Sequence, residues 1–194
     1  MIALILLAAG RGARFGSDKL LYPIDGKPMY RHCLDRLIEI GTERALPVLA
    51  VVHEGTLRKE IQSLPVQVVC NSQSHLGLST SLRAALKVLP DSVEAAAFFA
   101  ADQPWLSAAA IRRLLDGYIQ DGRGIACASR HGRPGNPAIF SRRYFPALHS
   151  LEGDIGGRSV ILENLSDCTL IDISNAELRD VDRPSDMYLQ DRHH

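Results

Sequence analysis

Six short apolar runs punctuate the chain, at 2–7, 46–52, 66–70, 95–100, 124–128 and 168–173. Between most of them, apolar residues return at helical spacing. Leu34, Leu37 and Ile38 do so within 29–40, and Leu82, Ala85, Leu86 and Leu89 within 78–89. Ile111, Leu114, Leu115 and Tyr118 repeat the pattern within 108–119. A strand that is apolar throughout must bury both faces, and intervening helices can cover them. The alternation therefore predicts an α/β fold of three layers, a mostly parallel sheet with helices on both faces. Such sheets bind ligands beyond the carboxyl ends of their strands, where the strand order switches direction.

The pattern loosens after residue 128. Residues 129–137 are punctuated by Gly and Pro and read as a loop, 136–140 as a short extended segment, and 152–158 as a polar, glycine-bearing loop. This second half reads as a substrate-facing subregion inserted into the sheet domain. No internal repeat or low-complexity linker divides the 194 residues, and that length suits one domain with a full core.

Charge and cysteine usage exclude several classes. Lys plus Arg and Asp plus Glu number 22 each, so no global field recruits nucleic acid or a membrane surface. No apolar run approaches the ~18 residues of a membrane span. Residues 2–9 are too short for a signal-peptide core, which leaves a cytoplasmic location as the expectation. Cys33, Cys70, Cys127 and Cys168 are far apart in sequence and form no CxxC pair. They are expected to be reduced residues of the core. His32, His53, His131 and His149 show no metal-ligand spacing.

Any anion site must then come from local clustering, and the first apolar run ends in one. Gly10, Arg11, Gly12, Arg14, Gly16 and Lys19 follow it within ten residues. Glycines let backbone N–H groups approach phosphate oxygens, Arg offers a planar fork, and Lys a movable point charge. The third Gly comes one residue late for the dinucleotide fingerprint. The Gly-Lys-Ser/Thr ending of a Walker A loop is absent, as is the acid expected about 20 residues on in a nicotinamide-binding domain. Polyphosphate binding accounts for the cations better than a solvated turn.

Asp102 is the second focus. The run at 95–100 is wholly apolar and predicts a central strand, which Gln103-Pro104 stops. A carboxylate just beyond such a strand end lies where these sheets hold ligands. One or two carboxylates plus phosphate oxygens suit Mg²⁺. The competing reading, a cap for the helix that follows, fits Ser107 better. Ser79 could likewise cap the helix at 78–89, or contact a ligand there.

With these residues in view, the chain resembles a known family. Residues 7–19, Leu-Ala-Ala-Gly-Arg-Gly-Ala-Arg-Phe-Gly-Ser-Asp-Lys, resemble the signature of nucleotidyltransferases that make molybdenum cofactor dinucleotides. Further ordered similarities are Pro-Ile-Asp-Gly-Lys-Pro at 23–28, the Asn71, Gly77, Ser79, Ser81 element, and Ala-Asp-Gln-Pro at 101–104. They continue with Gly-Arg-Pro-Gly-Asn-Pro at 132–137, Gly-Asp-Ile-Gly-Gly-Arg at 153–158, and Asp-Val-Asp-Arg-Pro-Ser-Asp at 180–186. His75-Leu76 and Ala101 depart from the family pattern without removing a charged group.

The resemblance implies a Rossmann-like nucleotide-diphospho-sugar transferase fold. It implies a nucleotide-binding half at about 1–105 and an acceptor-binding half at about 106–190. It makes Arg14, Lys19 and Asp102 the catalytic groups. Ala8, Ala9, Gly10, Arg11, Gly12, Asn71, Gly77, Ser79 and Ser81 become nucleotide contacts, and Asp102 with Asp182 the Mg²⁺ ligands, with Asp180 as the alternative to Asp182. Asp154, Arg158 and the loop from Arg133 to Asn136 would shape the acceptor site. The implied partners are CTP and a molybdopterin-type phosphate acceptor, with possible docking to a molybdoenzyme. A sugar or polyol phosphate acceptor and a non-catalytic cofactor carrier are the alternatives.

Overall fold

The computed structural model describes residues 1–10 and 19–188. Its main sheet has seven strands in the order β5-β4-β1-β6-β8-β7-β9. In chain order the elements are β1 (Ile2–Ala8), β2 (Pro23–Ile24), β3 (Lys27–Pro28), α1 (Met29–Arg44), β4 (Val48–Val52), α2 (Thr56–Ile61), β5 (Gln67–Cys70), α3 (Leu78–Lys87) and β6 (Ala95–Ala100). There follow α4 (Ala108–Asp121), β7 (Ile125–Arg130), β8 (Arg133–Ser141), α5 (Phe145–His149), α6 (Arg158–Glu163) and β9 (Cys168–Asp172). β2 and β3 pair as a small separate ribbon.

The period of two in β1 shows why the sheet needs cover on both sides. Ile2, Leu4, Leu6 and Ala8 face one core with Met29, Cys33, Leu34 and Leu37 of α1 and Ile111, Leu114 and Leu115 of α4. Ala3 and Ile5 face the other, with Leu82, Ala85 and Leu86 of α3 and Leu148 of α5. Ser107 accepts a hydrogen bond from the Ala110 amide at 3.1 Å and so caps α4, as its position predicts, and Gly122 ends that helix in the left-handed region.

β1 pairs in parallel with β4 on one side and β6 on the other. The chain runs from β1 out to β4 and β5, then crosses back through α3 to β6. The strand order therefore reverses between β1 and β6, and this is the switch point at which a crevice opens.

The second half corrects two expectations. The segment 129–137 is not a loop. β7 and β8 form an antiparallel hairpin through it, turning at His131 and Gly132, both of which have positive φ. β8 then inserts antiparallel between β6 and β7, while β9 resumes parallel pairing with β7. Gly and Pro at 132–137 mark the hairpin turn and the bulge at Cys127/Ala128, not an absence of pairing. Arg158, read as the end of a loop, begins α6. All four cysteines are free, but Cys70 is exposed at the end of β5, where its thiol donates to Glu54. Among the described residues, no helix is long and apolar enough to cross a membrane.

Candidate active site

The crevice at the switch point has a volume of about 480 Å³ and lies over the carboxyl ends of β1 and β6. Ala9 and Gly10 form its β1 side, and Ala100 and Asp102 its β6 side. Ser81 and Leu78 enter from α3, Asn136 from β8, and Asp180 and Asp182 from the chain's closing segment. Of the residues expected at the site, Ala9, Gly10, Lys19, Ser81, Asp102 and Asp182 are thus brought together. Ala8 is buried within β1. Arg11, Gly12 and Arg14 lie outside the described residues.

Lys19 is the charged centre of the crevice. It is 8% exposed, and its Nζ donates to Asp102 Oδ2 at 2.8 Å and to Asp182 Oδ1 at 3.4 Å. An ammonium removed from water needs such partners, because desolvating it alone is expensive. The expectation for Lys19 is a phosphate contact; the structure pairs it with the two acids at the crevice floor. The side chain of Asp102 is 30% exposed and that of Asp182 66%.

Asp180, the alternative ligand, turns toward Gln103. Gln103 Nε2 donates to Asp180 Oδ1 at 2.9 Å. Burial, and then the neighbouring Asp102, hold the Asp180 carboxyl above its usual range, while the Gln103 hydrogen bond opposes that shift.

Among the described residues, no three His, Cys, Asp or Glu side chains stand close enough to cage an ion by themselves. Two carboxylates that share one cation, on a wall open to a ligand's oxygens, are instead the donor set Mg²⁺ commonly uses alongside phosphates. The residues present fit a divalent cation of that kind.

The Asn71–Ser81 element supports the crevice more than it lines it. Asn71 is buried and donates through Nδ2 to Thr80 Oγ1 at 2.8 Å and to Ser81 Oγ at 3.0 Å, and its Oδ1 accepts from the Gln73 amide. It thereby fastens the end of β5 to the first turn of α3. Ser79 is not the cap. Gly77 occupies that position without a side-chain bond, and the Ser79 hydroxyl is fully buried with no partner among the described residues. The Ser79 amide donates to the Gly153 carbonyl at 3.1 Å, so a loop of the second half covers the α3 N-terminus. Gly77, at φ +110°, lets that loop in; a Cβ there would lie 2.2 Å from the Gly153 carbonyl carbon. Asp154 and Arg158 are exposed and do not line the crevice, nor does Arg133.

Sequence reading passed over three residues that organise the site. Gln103, which in sequence only stops the strand before it, binds the closing segment through its side-chain amide. Arg36 of α1 donates to the carbonyls of Pro104 and Leu106 at 2.7 and 2.8 Å and fixes the loop beyond Asp102. Asp186 accepts from the amides of Asp182 and Arg183 at 2.8 and 2.7 Å. An Asp four residues beyond Asp182 and two beyond a Pro was the available signal for that turn.

A mostly parallel, doubly covered sheet with its crevice at the switch point defines a Rossmann-like nucleotide-diphospho-sugar transferase fold. The chain belongs to the MobA-like NTP transferase domain family, whose model matches residues 4–168. Among curated proteins, the bifunctional protein GlmU of Exiguobacterium sibiricum is 30% identical over 129 residues, which is 66% of this chain and 28% of that protein. The chain therefore spans less than a third of the length of that relative. Among solved structures, Rv0371c of Mycobacterium tuberculosis H37Rv in complex with manganese is similar at a TM-score of 0.77 and 23% identity, over 96% of each chain. A nucleotidyl transferase from Methanothermobacter (Mth528) is similar at a TM-score of 0.79 and 22% identity, over 97% of this chain and 94% of that one.

Proposed function

We propose that the chain transfers CMP from CTP to the terminal phosphate of molybdopterin or its molybdenum-loaded form and releases pyrophosphate. The observation that carries this reading is the Lys19–Asp102–Asp182 cluster on the crevice floor, directly beside the end of β1. CTP and the pterin acceptor rest on the motifs at 7–19 and 153–158 and on family membership.

In the proposed step an oxygen of the acceptor phosphate attacks the α-phosphorus of the nucleotide. One P–O bond forms, the bond from the α-phosphorus to the bridging oxygen breaks, and its electron pair leaves on pyrophosphate. No covalent enzyme intermediate is required, so the protein contributes alignment and charge neutralisation. Asp102 and Asp182 would hold Mg²⁺, which when bound withdraws charge from phosphate oxygens. Lys19 supplies a fixed positive charge at the crevice floor, and Arg14 a second cation for the departing phosphates. Ala9 and Gly10 give the phosphates a wall free of bulky side chains.

Calorimetric titration of CTP, GTP, UTP and ATP with Mg²⁺ against wild type and Asp102→Ala tests the donor and the metal pair together. The expected result is preferential CTP binding that weakens in the variant. A GTP preference would keep the chemistry and change the donor, and no triphosphate binding would overturn the reading. Pyrophosphate release with molybdopterin, set against sugar and polyol phosphates, then tests the acceptor. Acceptor binding with no release would favour a carrier.

A further inference from the structure

We infer that Gln103 is a positioning residue whose side-chain amide holds the closing segment of the chain so that Asp182 lies beside Asp102. The inference rests on the proposed role of these two acids. It is drawn from the problem their geometry poses. Asp102 follows β6 directly, but Asp182 lies about eighty residues on, in a segment without helix or strand. Something other than sheet pairing must bring that segment to the crevice.

Gln103 has the reach and the rigidity to do so. Its backbone is fixed from both sides: its amide donates to the Ala100 carbonyl, and its carbonyl accepts from the Leu106 amide. Pro104 restricts the next residue, and Arg36 clamps the carbonyls of Pro104 and Leu106. From this platform the 4%-exposed side chain donates both Nε2 protons to the closing segment. One goes to the Leu178 carbonyl at 3.3 Å and the other to Asp180 Oδ1 at 2.9 Å. The backbone adds a third link, as the Val181 amide donates to the Asp102 carbonyl at 3.0 Å. These bonds bracket residues 178–181 and leave Asp182 as the next residue, facing Lys19.

The amide chemistry is specific to this task. A carboxylate at 103 would repel Asp180, and a cation would compete with Lys19 for the acids. Gln103 Oε1 is buried and has no partner among the described residues. A buried acceptor left unpaired is unfavourable, so an apolar side chain of similar shape would serve folding at least as well. The two donated bonds to 178 and 180 are what an apolar side chain would not reproduce.

The test uses the full chain and Mn²⁺ alone as the probe, so it needs neither donor nor acceptor. Gln103→Met keeps the volume and removes both donors. Mn²⁺ affinity is expected to fall about tenfold, the scale seen when the hydrogen bonds behind metal ligands are lost. Exchange of the Val181 amide is expected to accelerate, with melting temperature little changed. Gln103→Met combined with Asp182→Asn is expected to bind Mn²⁺ no more weakly than Asp182→Asn alone. Wild-type exchange at Val181 in Gln103→Met overturns the inference, and so does full additivity with Asp182→Asn. If Asp182→Asn itself leaves Mn²⁺ binding intact, the metal reading fails while exchange at Val181 still decides on Gln103. Should Gln103→Met not fold, Gln103→Asn, whose shortened amide cannot span to Asp180, is judged by the same two readouts.

Discussion

Asp102 and Asp182 share one lysine but are held in place by different means. Asp102 follows β6, which is paired along its length with β1 and β8 and whose residues 95–99 are buried. Asp182 is held by a few bonds: Val181 to the Asp102 carbonyl, Gln103 to Leu178 and Asp180, and Asp186 to the amides that follow Val181. Leu178 and Val181, both buried, root that stretch in the core. One acid is positioned by the sheet and the other by side chains, so the first should be the stiffer and more costly to lose.

The largest expected effect separates the two acids. Asp102→Asn should lower kcat/KM for pyrophosphate release by about a thousandfold, roughly 4 kcal/mol of transition-state stabilisation. Asp182→Asn, at the more exposed ligand, should lose only about ten- to a hundredfold and regain part of it at high Mg²⁺. Equal losses in the two variants would break the comparison. Lys19→Ala comes next. It removes the cation both acids share, and turnover should fall about a hundredfold while CTP affinity weakens by less. Unchanged turnover would remove Lys19 from the chemistry.

How the two acids are held also explains what could be read from sequence. The central parallel strands β1, β4 and β6 were legible because each buries both faces and carries the apolar run that this demands. Asp102 was legible because it interrupts such a run at its carboxyl end. The hairpin of β7 and β8 was not, since Gly132, Pro134 and Gly135 signal a turn equally well in a loop and in a bulged strand pair. The short helices α2, α5 and α6 offered too few residues for a period to show. Proximity of Asp182 to Asp102 had no local signal, because it depends on hydrogen bonds between residues more than seventy positions apart. The choice left open for Ser79 had no local signal for a similar reason: the cap of α3 is a glycine that admits Gly153, a contact absent from the local sequence.

That contact gives a prediction on stability that leaves both acids alone. Gly77→Ala puts a methyl into the Gly153 backbone at a φ of +110°. The strain should cost about 1–3 kcal/mol, read as a fall in melting temperature of several degrees for a domain of this size. The Mg²⁺ dependence of the remaining activity should stay as in wild type. A shifted Mg²⁺ midpoint would mean that the second-half loop, and not only the closing segment, sets the metal ligands.

The smallest effect concerns the third acid, Asp180, which sits between the other two in sequence and is held by the Gln103 amide. Burial and Asp102 raise the Asp180 carboxyl above its ordinary range, so in folding this group favours its protonated form. Its contribution to stability is then present below the unfolded value of about 3.9 and is lost as pH rises through the higher folded value. At neutral pH an ionised Asp180 opposes folding. Asp180→Asn removes that charge yet keeps an oxygen for the Gln103 amide. The variant should therefore melt above wild type at pH 7, and the gap should close as pH falls toward 4. A gap that is constant with pH would show that Asp180 is not the strained charge of the segment. The Gln103 hydrogen bond would then offset the burial of that carboxyl.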